Sequence, residues 1–276
     1  MHRFPPQRIV CLTEETVETL YLLGEEAKIV GVSGYAVRPP RVRREKPRVS
    51  AFISADIDKI LTLAPDLVLA FSDLQADIVG ALVRRGIAVH AFNQRDVAGI
   101  FAMIETLAAL VGAPEKGARL VQDLHARLDA VRARSKTSPR PRIYFEEWDE
   151  PMISGIGWVS ELISIAGGDD IFPELARKPS ARERTLAPAA VIAASPDIVI
   201  GSWCGKKFRP ERVAARPGFA ALAAVREGFV REIKSTIILQ PGPAALTDGL
   251  EAIAAIVNEW RAAKAPSPAK PIRRAG

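Results

Sequence analysis

Cysteine and histidine are scarce in this 276-residue chain, and that scarcity excludes a good deal. Two cysteines, Cys11 and Cys204, cannot build a disulfide framework. Cys11, at the end of the first apolar run, reads as a small buried hydrophobe. There is no CxxC pair, and the three histidines (His2, His90, His125) are scattered, so no tetrahedral zinc site of familiar spacing exists. No GK[ST] occurs, and GIGWVS lacks the third glycine of a dinucleotide fingerprint. Apolar runs stop well short of the roughly 18 residues that a membrane-spanning helix requires. Acids are missing from the C-terminal tail. There Arg261, Lys264, Lys270, Arg273 and Arg274 supply all but one unit of the net charge of +6. The folded part therefore carries no nucleic-acid footprint, and residues 263–276 are expected to form a disordered basic tail. Only MHRFPPQ precedes the first strand, which leaves no room for a secretory leader with its apolar stretch. Two readings stay open: a protein that remains in the cytoplasm, or one whose leader has been removed.

What is present describes an ordinary globular protein, with 48% hydrophobic and 25% charged residues. The length suits one large or two modest domains. Its organising element is Pro114 to Lys136, where Leu120, Leu124, Leu128 and Val131 recur at helical spacing. On each side lies an α/β segment, and the two resemble each other. DIDKILTLAPDLVLAF at 56–71 is echoed by LAPAAVIAASPDIVIGS at 186–202: a short apolar helix, a Pro-Asp turn and a buried strand. RIVCLTEETVETLYLLG is echoed by RIYFEEWDEPMISGIGWVSELISIAGG. Strand and helix alternate throughout, so the sheets should be mostly parallel. The expected fold class is α/β, with two Rossmann-like lobes joined by one long backbone helix. Residues 1–112 form the first lobe, 113–138 the linking helix and 139–262 the second lobe, with ligands expected between the lobes.

Open α/β sheets bind ligands beyond the carboxyl ends of their strands. Three polar segments fall there: Thr13-Glu14-Glu15, Glu146-Glu147-Trp148-Asp149-Glu150, and Trp203-Cys204-Gly205-Lys206-Lys207. Acids that face one another across a cleft require a cation, a metal or ligand donors to relieve them. Two readings apply: the acids cap helices and point to solvent, or Glu14, Glu15, Glu146 and Glu147 accept hydrogen bonds from amides on a ligand. Cys204 can coordinate a metal or stand as a thiol over the ligand, but nucleophilic catalysis needs a histidine partner that the sequence does not suggest. Six cations crowd Arg38–Arg48 against the single acid Glu45, as a solvated loop or as a contact for anions or a membrane surface.

The elements VGVSGYAVRPP, VSAFISADIDKILTLAPDLVLAF, the long helix, the GGDDIF turn and the second helix-SPDIVI unit resemble a known family. They are similar to the class III, helix-backboned periplasmic binding proteins of ABC importers, above all the vitamin B12 binders and then the iron-siderophore binders. The resemblance covers roughly residues 8–260. It implies a non-enzymatic, monomeric substrate-binding protein without an intrinsic cofactor or metal, which holds a large metal-containing ligand (cobalamin or another corrinoid) between its lobes. It also implies a periplasmic location and an ABC permease as partner. Tyr35 matches a cleft tyrosine, and Phe52 and Phe71 fall where such proteins set tryptophans against the corrin. Trp148, Trp203, Cys204 and Gln240 join the acids as ligand-binding candidates. Asp58 matches the permease-docking acid of the first lobe, whereas Ala189 or Ala190 stands where the second lobe's acid is expected. Alternatives are a ferric siderophore or haem as ligand, or a cytoplasmic enzyme or metallo-chaperone that reuses the fold.

Overall fold

The computed structural model describes residues 4–136 and 139–265. The first lobe runs β1 (Ile9–Cys11), α1 (Glu14–Leu22), β2 (Ile29–Ser33), α2 (Val42–Glu45), β3 (Arg48–Ser50), α3 (Ile57–Thr62), β4 (Leu67–Phe71), α4 (Ala76–Arg84), β5 (Val89–Phe92) and α5 (Val97–Leu110). After α6 (Pro114–Arg134) the second lobe runs β6 (Arg142–Asp149), β7 (Met152–Ser154), α7 (Gly157–Ile165), β8 (Asp169–Asp170), α8 (Pro173–Ala176), α9 (Pro188–Ala194) and β9 (Ile198–Gly201). It ends with α10 (Pro210–Ala214), α11 (Ala223–Arg226), β10 (Val230–Glu232), α12 (Ser235–Ile238) and α13 (Leu250–Lys264). The first sheet, in order β3-β2-β1-β4-β5, is wholly parallel. The second, β10-β9-β6-β7 with β8 beside β6, is parallel except for the β6–β7 hairpin.

The internal repeat has a shared physical core. In the first lobe Asp66 accepts hydrogen bonds from the amides of Gln7 and Arg8, and the Arg8 guanidinium returns to the Leu63 carbonyl at 2.6 Å. In the second lobe Asp197 accepts from the Arg142 amide, and the Arg142 guanidinium reaches the Ala194 carbonyl at 2.7 Å. Each Pro-Asp turn follows a residue in left-handed backbone, Ala64 and Ser195. The aspartate therefore pins the start of the lobe's first strand beside the next one, and the arginine closes the end of the intervening helix. The second helix of the pair is capped differently. Asp56 accepts from Lys59 N at the start of α3, while α9 has no side-chain cap.

The linking helix buries Val121, Leu124, Leu128 and Val131 in one continuous core. It packs on α5 from the first lobe and on α7 and α13 from the second, so its buried stripe is shared by both lobes. Residues Arg48–Ser50 form the edge strand β3. Two sequence expectations are corrected. The acidic run 146–149, read as a strand's trailing loop, belongs to β6. Leu250–Lys264 continues past the expected end of the lobe at 262, preceded by a π-helical turn at Ala245–Gly249. Residues 266–276, and with them Lys270, Arg273 and Arg274 of the basic tail, lie outside the described residues, as do 137 and 138. Among the Arg38–Arg48 cations, Arg38 pairs with Glu18 and Asp248, Arg41 with Glu26 and Glu45, and Lys46 donates to the carbonyls of Glu26 and Ile29. Half of that cluster is engaged in the fold.

Candidate functional site

The carboxyl edge of the first sheet sets out a row of side chains in strand order. Phe52 follows β3, Tyr35 follows β2, Glu14 and Glu15 follow β1, Phe71 ends β4 and Arg95 follows β5. Tyr35 stands 52% exposed, an unusual position for so large a ring. Phe52 is half-buried against the core. Phe71 is 6% exposed and mainly a core residue, with the Arg95 guanidinium 5.4 Å from its ring centroid. Gln75, fully buried, holds the row together. Its oxygen accepts from Phe71 N at 2.9 Å, and its amide donates to the carbonyls of Phe52 (2.7 Å) and Leu12 (3.3 Å). Sequence reading missed Gln75, whose only signal is a polar residue just beyond a strand.

Glu14 and Glu15 open α1, and both are buried. Thr13 occupies the N-cap position in extended backbone, but its hydroxyl donates to Glu15 Oε1 at 2.5 Å and does not cap the helix. Burial pushes Glu14 up to about 7; burial and the charge of Glu14 push Glu15 up to about 8. Glu14 is 7% exposed and its Oε2 has no hydrogen-bond partner. The second lobe closes over these acids. An added Cβ on Gly242 would lie 2.5 Å from Glu15 Cβ, so only glycine lets the two chains approach this closely. Gln240 and Thr236 share with Glu14, Glu18 and Arg38 a gap of about 10 Å³. A wider groove of about 380 Å³ runs alongside, between α1 and Arg38–Arg41.

Among the described residues, five contacts stitch the lobes together. Glu18 accepts from Ala244 N at 3.0 Å, Arg38 bridges Glu18 and Asp248, and Gln94 donates to the Pro241 carbonyl at 2.9 Å. Val97 N donates to Glu161 at 3.2 Å, and Trp158 N donates to the Arg95 carbonyl at 3.1 Å. Gly157 permits the last of these, because a Cβ there would stand 2.2 Å from that carbonyl oxygen.

Four second-lobe candidates sit differently from the sequence reading. Glu146 is 0% exposed: Arg216 grips it with both terminal nitrogens, and Trp203 Nε1 and Tyr144 OH also donate to it. As it stands, Glu146 presents no surface to a ligand, contrary to the sequence reading. Trp203 is likewise buried, edge-on to Phe208. Trp148 packs on the same outer core and shares the ammonium of Lys206, itself paired with Asp149 at 2.7 Å. Alternation along β6 sends 144, 146 and 148 to this outer face and leaves Glu147 opposite. Glu147 gives both oxygens to Arg184, a guanidinium only 2% exposed that the sequence reading overlooked. Cys204 is exposed, and its thiol is raised by burial of its surroundings and by the charges of Glu14 and Glu147. That shift runs opposite to the one an activated nucleophile needs. Among the described residues no group of three or more His, Cys, Asp or Glu could hold a metal ion, and no helix is long and apolar enough to cross a membrane.

Two lobes, each built on a mostly parallel sheet, share the buried stripe of one long helix. A family model described as periplasmic binding protein matches residues 9–237. The chain belongs to that family. Among the relatives of this periplasmic binding protein is a vitamin B12-binding protein of Vibrio cholerae (strain ATCC 39541), 30% identical over 174 residues. That alignment covers 62% of this chain and 63% of the relative, less than two thirds of its length. The crystal structure of the periplasmic vitamin B12 binding protein of Vibrio cholerae superposes with a TM-score of 0.74 at 25% identity, covering 94% of this chain and 99% of that one. The apo periplasmic heme-binding protein of Roseiflexus sp. RS-1 superposes with a TM-score of 0.77 at 22% identity, over 91% and 99% of the two chains, a likeness of fold. The family is one of substrate-binding proteins of ABC import. Asp58, on α3, is almost fully exposed; Ala189 and Ala190, on the equivalent α9, are exposed and carry no charge.

Proposed function

We propose that this periplasmic binding protein is the receptor for a cobalamin or related corrinoid, which it holds between its lobes for uptake through an ABC permease. The observation that carries the reading is the row on the first sheet's carboxyl edge, where a half-exposed Tyr35 stands in line with Phe52, Glu14, Phe71 and Arg95. Flat rings bury a large planar guest at little cost in rotamer freedom. The unpartnered oxygen of Glu14 is an acceptor waiting for a donor, and the corrin periphery is rimmed with primary amides. The resemblance to vitamin B12 binders points the same way. Closure should be small, because the linking helix is packed into both lobes. Asp58 would meet the permease on the first lobe, and α9 must dock without an acid.

Titration of the purified protein with cyanocobalamin, followed by binding heat and by the corrin absorption, tests this. A saturable one-to-one transition is expected, and Tyr35→Ala should weaken it by roughly tenfold through lost stacking. Absence of binding at high micromolar corrinoid, or an unchanged affinity in Tyr35→Ala, would sink the proposal. Haemin and a ferric siderophore, titrated in parallel, give the alternatives the same opportunity.

A further inference from the structure

Arg95, at the carboxyl edge of the first sheet, is a cation with a loosely held carboxylate partner. Arg95 lies just beyond β5 in the sequence FNQRD, and its backbone is fixed on both sides. Asp96 caps α5 by accepting from Gly99 N at 2.6 Å, and the Arg95 carbonyl accepts from Trp158 of the opposite lobe. Nε donates to Asn93 Oδ1 at 3.1 Å, which directs the guanidinium back across the end of β4 and onto Phe71. The nearest carboxylate oxygen is Asp73 Oδ1 at 3.6 Å, on a side chain that is largely exposed. Across the gap, Glu147 has spent both oxygens on Arg184 and has none to offer. Burial lowers the Arg95 pKa, Asp73 and Glu147 pull it back, and Arg184 repels it. A partly desolvated guanidinium with a loose partner and free N–H groups is a binding site for an oxyanion.

The cleft is thus polarised along the row. Glu14, with one oxygen lacking a hydrogen-bond partner, sits at its middle, close enough for its charge to act on the Cys204 thiol, and Arg95, a donor, sits at its β5 end. A guest lying along the row must offer hydrogen-bond donors at one place and an anion at the other. We propose that Arg95 is a specificity-determining residue that binds an oxyanion on the rim of the ligand, while the ligand's planar part lies against Tyr35 and Phe52. This rests on the metal-chelate reading of the cleft. Two chemistries supply such a group: the phosphodiester of a complete cobalamin, or the propionate of a haem.

Two pairs of probes separate them: cyanocobalamin against dicyanocobinamide, which lacks the nucleotide loop and its phosphodiester, and haemin against its dimethyl ester. In the pair that binds, wild-type protein should prefer the member that carries the oxyanion. Arg95→Gln should weaken that member by about tenfold or more, the worth of a charge-assisted hydrogen bond, and leave the member without the oxyanion unchanged. Arg95→Lys should recover part of the loss. Asp73→Asn, which removes the competing carboxylate, should tighten the member that carries the oxyanion. Thermal unfolding midpoints of the variants verify that the fold persists. Equal weakening of both members by Arg95→Gln, or wild-type protein that does not distinguish them, overturns the proposal while the ligand reading stands. Failure of all four probes to bind wild-type protein overturns both.

Discussion

Titrating the two acids at the start of α1 should make the protein less stable as pH rises, the reverse of the usual behaviour of carboxylates. Glu14 and Glu15 move from the usual 4.5 up to about 7 and about 8, chiefly because burial disfavours their charged forms. Between those limits the folded chain holds protons that the unfolded chain has released. Stability therefore has its full contribution from these groups below about pH 4.5 and loses it progressively as pH climbs to about 8. At about 1.4 kcal/mol for each pH unit, the ceiling is on the order of 3 kcal/mol for Glu14 and 5 kcal/mol for Glu15. The actual loss is capped by the cost of parting the lobes enough to wet the carboxyls, because Gly242 and the Gln240 loop supply part of their cover. Glu18, also raised by burial despite Arg38, adds to the trend, and His90, lowered by burial, opposes it. Urea midpoints measured from about pH 5 to about pH 9 on wild type and on a Glu14→Gln/Glu15→Gln double variant isolate the pair. Wild type should lose stability across the window. The double variant should lose distinctly less and be the more stable of the two at the alkaline end. Parallel profiles, or a double variant weaker than wild type at high pH, would refute the reasoning.

Gly157→Ala should cost about 1–3 kcal/mol by urea unfolding, because its Cβ would stand 2.2 Å from the Arg95 carbonyl oxygen, a backbone atom that cannot easily give way. An unchanged midpoint would mean that the lobes do not meet there in solution. Glu146→Ala should cost about 3–5 kcal/mol by taking the carboxylate from a partly buried Arg216 and leaving the buried Trp203 and Tyr144 donors without an acceptor. Ligand affinity should survive in the part that remains folded, because Glu146 has no surface in the cleft; a selective loss of affinity with normal stability would return it to the binding residues.

The first lobe was the easier half to read, and its sheet shows why. Its inner strands β1, β2 and β4 are apolar runs covered on both faces, the pattern that a parallel sheet leaves in a sequence. β3 leaves no such trace, because a three-residue edge strand with only Val49 buried carries no period. In the second lobe, Glu146-Glu147-Trp148-Asp149 has the composition of a loop. It becomes strand because distant cations compensate it: Arg216 for Glu146, Arg184 for Glu147, and Lys206 with Arg212 for Asp149. A carboxylate can sit in a sheet when such a partner arrives, and the partner's arrival is a property of the tertiary fold.

The same physics separates the site residues that could be anticipated from those that could not. Exposed aromatics in small-residue loops and acids beyond strand ends announce themselves by being costly where they stand, which is how Tyr35 and Glu14 were marked. Which acid keeps that cost and which is relieved depends on charges tens of residues away. Glu146 and Glu14 look alike as letters, yet one has four donors on it and the other has an oxygen with none. Arg95 and Arg184 reverse the case for cations: Arg184, in the sequence ARERT, reads as solvated and is buried and satisfied, whereas Arg95 is held at the cleft by its own backbone and left with a loose partner. For the corrinoid receptor proposed above, the unsatisfied group is the informative one, because a donor on the ligand can complete what the fold leaves open.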